Sequence, residues 1–140
     1  MDDRFIFRGK ITHDPNYGNK QMLGQWAYGS LVLRENCSPV IYEYKEFAGR
    51  NHVYNVDKDT IGQCSGLRDV KDKLIFEGDL LKFIGMESDN ALLLCVKYCV
   101  ENARWQLKDI SDKDNFESIT VDDIFVKCFE VVGSIYDSKC

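Results

Sequence analysis

A chain of 140 residues, 44% hydrophobic and 29% charged, has enough apolar material for one domain's core, and seventeen aromatics against two prolines exclude a disordered chain. Twenty-three acidic against eighteen basic residues leave a net charge of −5, and no window forms a Lys/Arg stripe. That balance argues against a nucleic-acid partner, because phosphate binding needs a basic face. The opening "MDDRFIFRGK" lacks the basic leader and apolar run of a secretory signal. The longest apolar run, "ALLLCV" at 91–96, falls far short of the roughly 20 residues that span a bilayer. The expectation is a soluble cytoplasmic protein with no membrane partner.

In chain order, "RFIFRGK" alternates as an opening strand, with Phe5 and Phe7 on one side and Arg4 and Arg8 on the other. "THDPNYGNK" is dense in turn formers. "GQWAYGSLVL" follows as a strand, with Trp26, Tyr28, Ser30 and Val32 on one face and a kink expected at Gly29. "VIYEYKEF" and "HVYNV" are rich in β-branched and aromatic residues and read as strands. "IGQCSGL" is a Gly-punctuated strand in which Gly62 and Gly66 mark bulges or close backbone contacts. "RDVKDK" turns the chain into "LIFEG", and "DLLKFIG" enters the core.

The run 91–100, "ALLLCVKYCV", is apolar on both faces: Leu92, Leu94, Val96, Tyr98 and Val100 on one, Leu93, Cys95 and Cys99 on the other. Both faces then require cover, from a barrel wall, a helix or another subunit. "ARWQLKDI" is its expected partner strand. "TVDDIFVK" suggests a short helix capped by Thr120, with Asp122 and Asp123 at its positive end, and "CFEVVGSIYD" is a closing strand. The sum is a mainly β fold of roughly nine short antiparallel strands, at most one or two short helices, and a small barrel in the C-terminal half. It reads as a single domain, with sub-parts at 1–58 (an N-terminal β segment) and 59–140 (motif and barrel).

Six cysteines (Cys37, Cys64, Cys95, Cys99, Cys128 and Cys140) in a chain without a secretory signal read as reduced thiols. No Cys-x-x-Cys pair occurs, and Cys95 and Cys99 lie about 13 Å apart on one strand face, too far to clamp one ion. With only His13 and His52 available, no metal site and no cofactor are expected.

Several blocks together resemble the YopX family of phage and prophage proteins: "FRGK", "GQWAYGSLVL", "DKDTIGQCSGLRD", "KLIFEGDLLKF" and the terminal "FEVVGSIYD", in matching order over nearly the whole chain. The most specific stretch runs through Gly62, Gln63, Gly66, Leu67 and Asp69 to Phe76, Glu77, Gly78 and Asp79. The resemblance implies a bacterial host, a mainly β fold and a homo-oligomer, and it supplies no catalytic residue. This chain has Lys71-Asp72 in the turn where the family commonly carries Asn-Gly. Asp tolerates left-handed geometry better than most non-glycine residues, so the turn is expected to survive.

Chemical readings of the same residues fare less well than structural ones. Glu77 and Asp79 flank Gly78 and, two apart in a strand, face one side as a metal or acid–base pair would. The simpler reading has Gly78 supplying an unusual backbone angle and Asp79 accepting from nearby backbone N–H groups. An EF-hand counted from Asp112 would put Phe116 and Glu117 where Asp or Asn and Gly are required, so the acidic loop at 109–117 reads as a solvated face. His52 lacks a sequence pattern linking it to a cysteine nucleophile. Trp26, Tyr28, Tyr42 and Tyr44 alternate as base-stacking residues would, but only Arg34, Lys45 and Arg50 accompany them, which favours packing.

The function expected is therefore non-enzymatic: a homo-oligomeric (dimeric or trimeric) phage accessory protein acting through contacts with another protein. The alternative is a small-barrel nucleic-acid-binding module in phage replication or regulation.

Overall fold

Eleven strands organise residues 3–13, 23–44, 51–84, 93–110, 119–120 and 127–137, which this computed structural model describes; the helical pieces among them are two 3₁₀ turns, Asp3–Phe5 and Lys58–Thr60. The chain divides into two compact units, Met1–Cys64 and Ser65–Cys140. The dividing point falls inside one strand.

The first unit contains β1 (Phe7–His13), β2 (Trp26–Val32), β3 (Val40–Tyr44), β4 (Asn51–Val56) and the start of β5 (Gly62–Arg68). Alternation alone starts the first strand near Arg4, but the Ile6 N–H donates to the Asp3 carbonyl at 3.0 Å and winds those residues into a turn. The strand proper opens at Phe7. Positions 7–10 of β1 pair with 29–26 of β2, after which positions 30–32 of β2 pair with 42–40 of β3. β3 pairs along β4, and β4 returns to β1 through Ile11 opposite Val56, with a bulge before His13. The four strands thus close into a ring.

β2 closes the ring because it changes partners at Gly29. A Cβ there would collide with the Tyr42 carbonyl oxygen, so only glycine lets β2 cross from β1 to β3 at this spacing. Inside the ring Ile11, Ala27, Ile41, Tyr54 and Val56 form the core, with Leu31 and Ile61 packed on it. After β4, the Asp57 carboxylate caps the Lys58–Thr60 turn by accepting from the Asp59 N–H. The Thr60 hydroxyl donates to the Asp57 carbonyl and accepts from the Lys10 N–H at 2.9 Å, tying that turn to β1.

The second unit contains the rest of β5, β6 (Leu74–Phe76), β7 (Asp79–Phe83), β8 (Leu93–Cys99), β9 (Arg104–Asp109), β10 (Ile119–Thr120) and β11 (Phe129–Ser134). Five of these form an antiparallel sheet in the order β10-β9-β8-β7-β11. Its core is Ile75, Leu81, Leu94, Val96, Leu107, Phe129 and Val131, with Leu67, Phe83 and Trp105 against it. Phe83 meets Phe129 edge to face within it at a centroid distance of 5.6 Å, and Trp105 at its margin meets the exposed Tyr98 likewise at 5.3 Å.

The mainly β class and the presence of a small barrel hold. The closed ring, however, belongs to the first unit rather than the C-terminal half. No pairing among the described residues joins β10 to β11, whereas the Gly29 bend closes β1–β4. Thr120 pairs with Gln106 in a strand instead of capping a helix, and 121–126 lie outside the described residues. The second face of β8 is also less demanding than its composition suggests. Cys95 on that face is 2% exposed in the single chain, and Lys97 turns to solvent.

Candidate functional site

The two turns of the central motif are built by its carboxylates. In the first, the Asp72 N–H donates to the Asp69 carbonyl and the Asp69 N–H to the Lys73 carbonyl, both at 2.9 Å. Asp72 has φ of 65°. A tight turn followed by one left-handed residue is a favoured three-residue hairpin loop. Asp69, almost fully buried, holds it: Oδ1 accepts from the Lys71 and Lys73 N–H groups at 2.9 Å, and Oδ2 accepts from Val131 N–H at 2.8 Å. The Val70 N–H also donates to the Phe129 carbonyl. The hairpin therefore occupies backbone groups along the outer side of β11, the kind of edge that would otherwise invite pairing with another chain.

The second turn is Phe76-Glu77-Gly78-Asp79. Gly78 has φ of 91°, and a Cβ on it would lie 2.7 Å from Cε2 of Tyr136. Its N–H donates to Val96 and its carbonyl accepts from Ile135 N–H, so the turn is pinned on two sides. Asp79, 1% exposed, accepts from the Phe76 N–H through Oδ2 at 2.8 Å, and Glu77 accepts from the Tyr98 N–H at 3.1 Å.

The remaining motif residues serve β5. Gly62 and Gln63 sit opposite Arg8 and Phe7 in the first unit, and Gln63 Nε2 donates to the Arg4 carbonyl at 2.7 Å. Gly66 is left-handed at φ of 82°; beside it the Ser65 hydroxyl donates to Ile75 and accepts from Leu67 N–H. Leu67 packs against the second unit's core, and Phe76, next to the core residue Ile75, is buried as well. The nine motif residues thus do not converge on one site.

A different assembly appears on the outward face of the ring. Strand register sets Arg8 opposite Tyr28 and Lys10 opposite Trp26, and both cations lie over the Trp26 ring, at 4.1 and 4.5 Å from its centroid. Ser30 stands opposite Tyr42, and Tyr42 opposite Val53. Tyr28 and Tyr42 are 42% and 39% exposed. Arg34 lies on the same side of the ring, its guanidinium donating to the Ser38 carbonyl and to Asn55 Oδ1.

Over residues 6–139 the sequence matches the model of the YopX protein family. The chain belongs to the YopX family. A comparison with curated proteins found no match.

In this YopX protein the motif carboxylates are acceptors for backbone N–H groups, which is turn-building chemistry. Among the described residues, no three His, Cys, Asp or Glu side chains gather as a metal site would require. Asp112, Asp114 and Glu117 of the acidic loop lie outside those residues. His52 stacks on Tyr54 and stands opposite Glu43 at the ring's inner face. Burial pushes the Cys95 thiol pKa up, and Asp79 and Glu77 add to that against Lys97 and Lys108. The aromatic and cationic face was half legible: Trp26, Tyr28 and Tyr42 stand out in sequence, but Arg8 and Lys10 join them only through pairing with β1.

Proposed function

We propose that this YopX protein is a non-catalytic, phage-type accessory protein that assembles with copies of itself and works through protein contacts in the bacterial cytoplasm. The observation behind this reading is the end of the β8–β9 hairpin, where Tyr98 is 42% and Val100 83% exposed among the polar Glu101, Asn102 and Arg104. Large apolar side chains exposed side by side mark contact sites on soluble proteins. The motif carboxylates favour a non-enzymatic role, because their oxygens serve backbone N–H groups. A closed dimer or trimer is the expected assembly, since open head-to-tail contacts build fibres.

Light scattering coupled to size exclusion at micromolar concentration tests the proposal. Wild type should elute at a multiple of the monomer mass, and Val100→Asp combined with Tyr98→Asp should shift it to the monomer. A wild-type protein that elutes as a sharp monomer peak refutes self-assembly.

A further inference from the structure

We propose that the outward face of the β1–β4 ring binds single-stranded nucleic acid, with bases stacking on Tyr28 and Tyr42 and phosphates drawn to Lys10 and Arg34. The overall acidic balance argued against such a partner, but the acid is unevenly placed. Residues 1–64 carry eight basic and eight acidic side chains, so the whole net charge of −5 belongs to 65–140, with ten basic and fifteen acidic. The four ring strands contain a single carboxylate, Glu43. Its register, opposite His52 and next along from the buried Ile41–Tyr54 pair, places it on the inner side. On the strands themselves the outward positions are therefore cationic, aromatic or neutral, while Glu35, Asp57 and Asp59 lie in the adjoining turns.

Each part has a use in this binding mode. Tyr28 and Tyr42 expose ring surface on a rigid β scaffold, and base–aromatic stacking is tolerant of sequence because every base has a π-face. Lys10 and Arg34 supply positive charge on this side of the ring, and phosphate neutralisation releases counterions. Arg8 is only 4% exposed, so it acts from beneath, fixing the Trp26 ring and adding to the local potential. A second copy of the chain fits this face poorly. A two-fold contact would bring the strand cations towards their own copies, where the strands themselves offer no outward carboxylate.

Fluorescence anisotropy with labelled oligo(dT) and oligo(rU) of about 15 nucleotides, near the footprint of one small barrel, tests the proposal. The two arms distinguish DNA from RNA. Binding of either should weaken steeply from 50 to 200 mM salt, on the order of tenfold or more. Arg34→Glu and Lys10→Glu should reduce affinity and flatten the salt slope. Tyr42→Leu, which keeps a strand-compatible side chain, should cost about tenfold with the slope unchanged, and Tyr28→Leu should behave alike. Thermal melts of each variant identify any that misfold, and the exposed Arg34 substitution keeps the test open if a tyrosine variant does. Absence of binding to both oligonucleotides at 50 mM salt overturns the proposal. So does binding that heparin matches and that neither tyrosine substitution weakens, because the face would then be a generic polyanion attractor or a dock for an acidic protein.

Discussion

At Gly78 the backbone sits at φ of 91° with the Tyr136 ring where a side chain would go, so two separate penalties meet at one residue. Left-handed geometry costs a non-glycine residue about 1–2 kcal/mol, and a branched side chain must also displace Tyr136. Gly78→Val is expected to destabilise by about 3 kcal/mol, read as a lowered melting temperature. Asp79→Asn should be milder, since an amide oxygen can still accept from Phe76 N–H. A Gly78→Val protein that melts with wild type contradicts the turn-building account of the motif. Asp72 makes the converse case. It occupies a left-handed position at φ of 65° where the family commonly carries glycine. Its exposed ion pair with Arg68, at 3.9 Å, contributes little. Asp72→Gly should therefore stabilise by about 0.5–1 kcal/mol, strain relief outweighing the freer unfolded chain. Differential scanning calorimetry reads the sign directly.

At the level of elements, what could be read from sequence and what could not have separate physical causes. Faces of strands follow from period two, so Trp26, Tyr28, Ser30 and Val32 fall on one side as alternation requires. Turn chemistry is equally local: Gly78 and Asp72 both carry the positive φ their residue types admit. Pairing is not local. That β2 serves two neighbours depends on Gly29 passing close to Tyr42, and nothing in the alternation of β2 says which strand lies there. Alternation alone therefore points to a barrel in the C-terminal half and omits Arg8 and Lys10 from the aromatic face, whereas strand pairing closes β1–β4 and brings both cations to Trp26. The closing side of Asp69 was hidden for the same reason, because Val131 lies 62 residues away.

β8 shows how burial also escapes a composition reading, and it carries a prediction. Burial raises the Cys95 pKa above the ordinary cysteine value of 9.0, so its neutral thiol favours the folded state. That contribution is intact below the ordinary value and is lost as pH rises through the raised one. Cys37 and Cys128 are exposed, whereas Cys64 and Cys95 are buried, and all four carry thiols rather than disulfides. Disulfide exchange reagent at pH 8 should label Cys37 and Cys128 promptly and leave Cys95 largely unreacted. Denaturing without reductant should then reveal close to six thiols in all. Fast native labelling of Cys95, located by peptide mapping, contradicts the burial argument, and a count near zero contradicts the reduced state.

For the whole molecule, the decisive feature is that the boundary between the units lies within β5, between Cys64 and Ser65. Domains that behave independently are joined by exposed linkers where few contacts cross. Here Gly62 and Gln63 are paired with β1, the Cys64 N–H donates to Ile6, and Ser65 immediately afterwards bonds to Ile75. One continuous strand is thus hydrogen-bonded within each unit over adjacent residues. Releasing it on one side removes the anchor of the other, so a single cooperative transition is expected. The chain offers matched reporters: its only two tryptophans are Trp26 in the first unit and Trp105 in the second. Trp105→Phe leaves a fluorophore in the ring, and Trp26→Phe leaves one in the five-stranded sheet. Each variant is followed in urea both by its remaining tryptophan and by circular dichroism of the whole chain. In each variant the two signals should share one midpoint. A tryptophan transition separated from the circular dichroism transition within the same variant would show that the two units unfold independently, despite the strand they share.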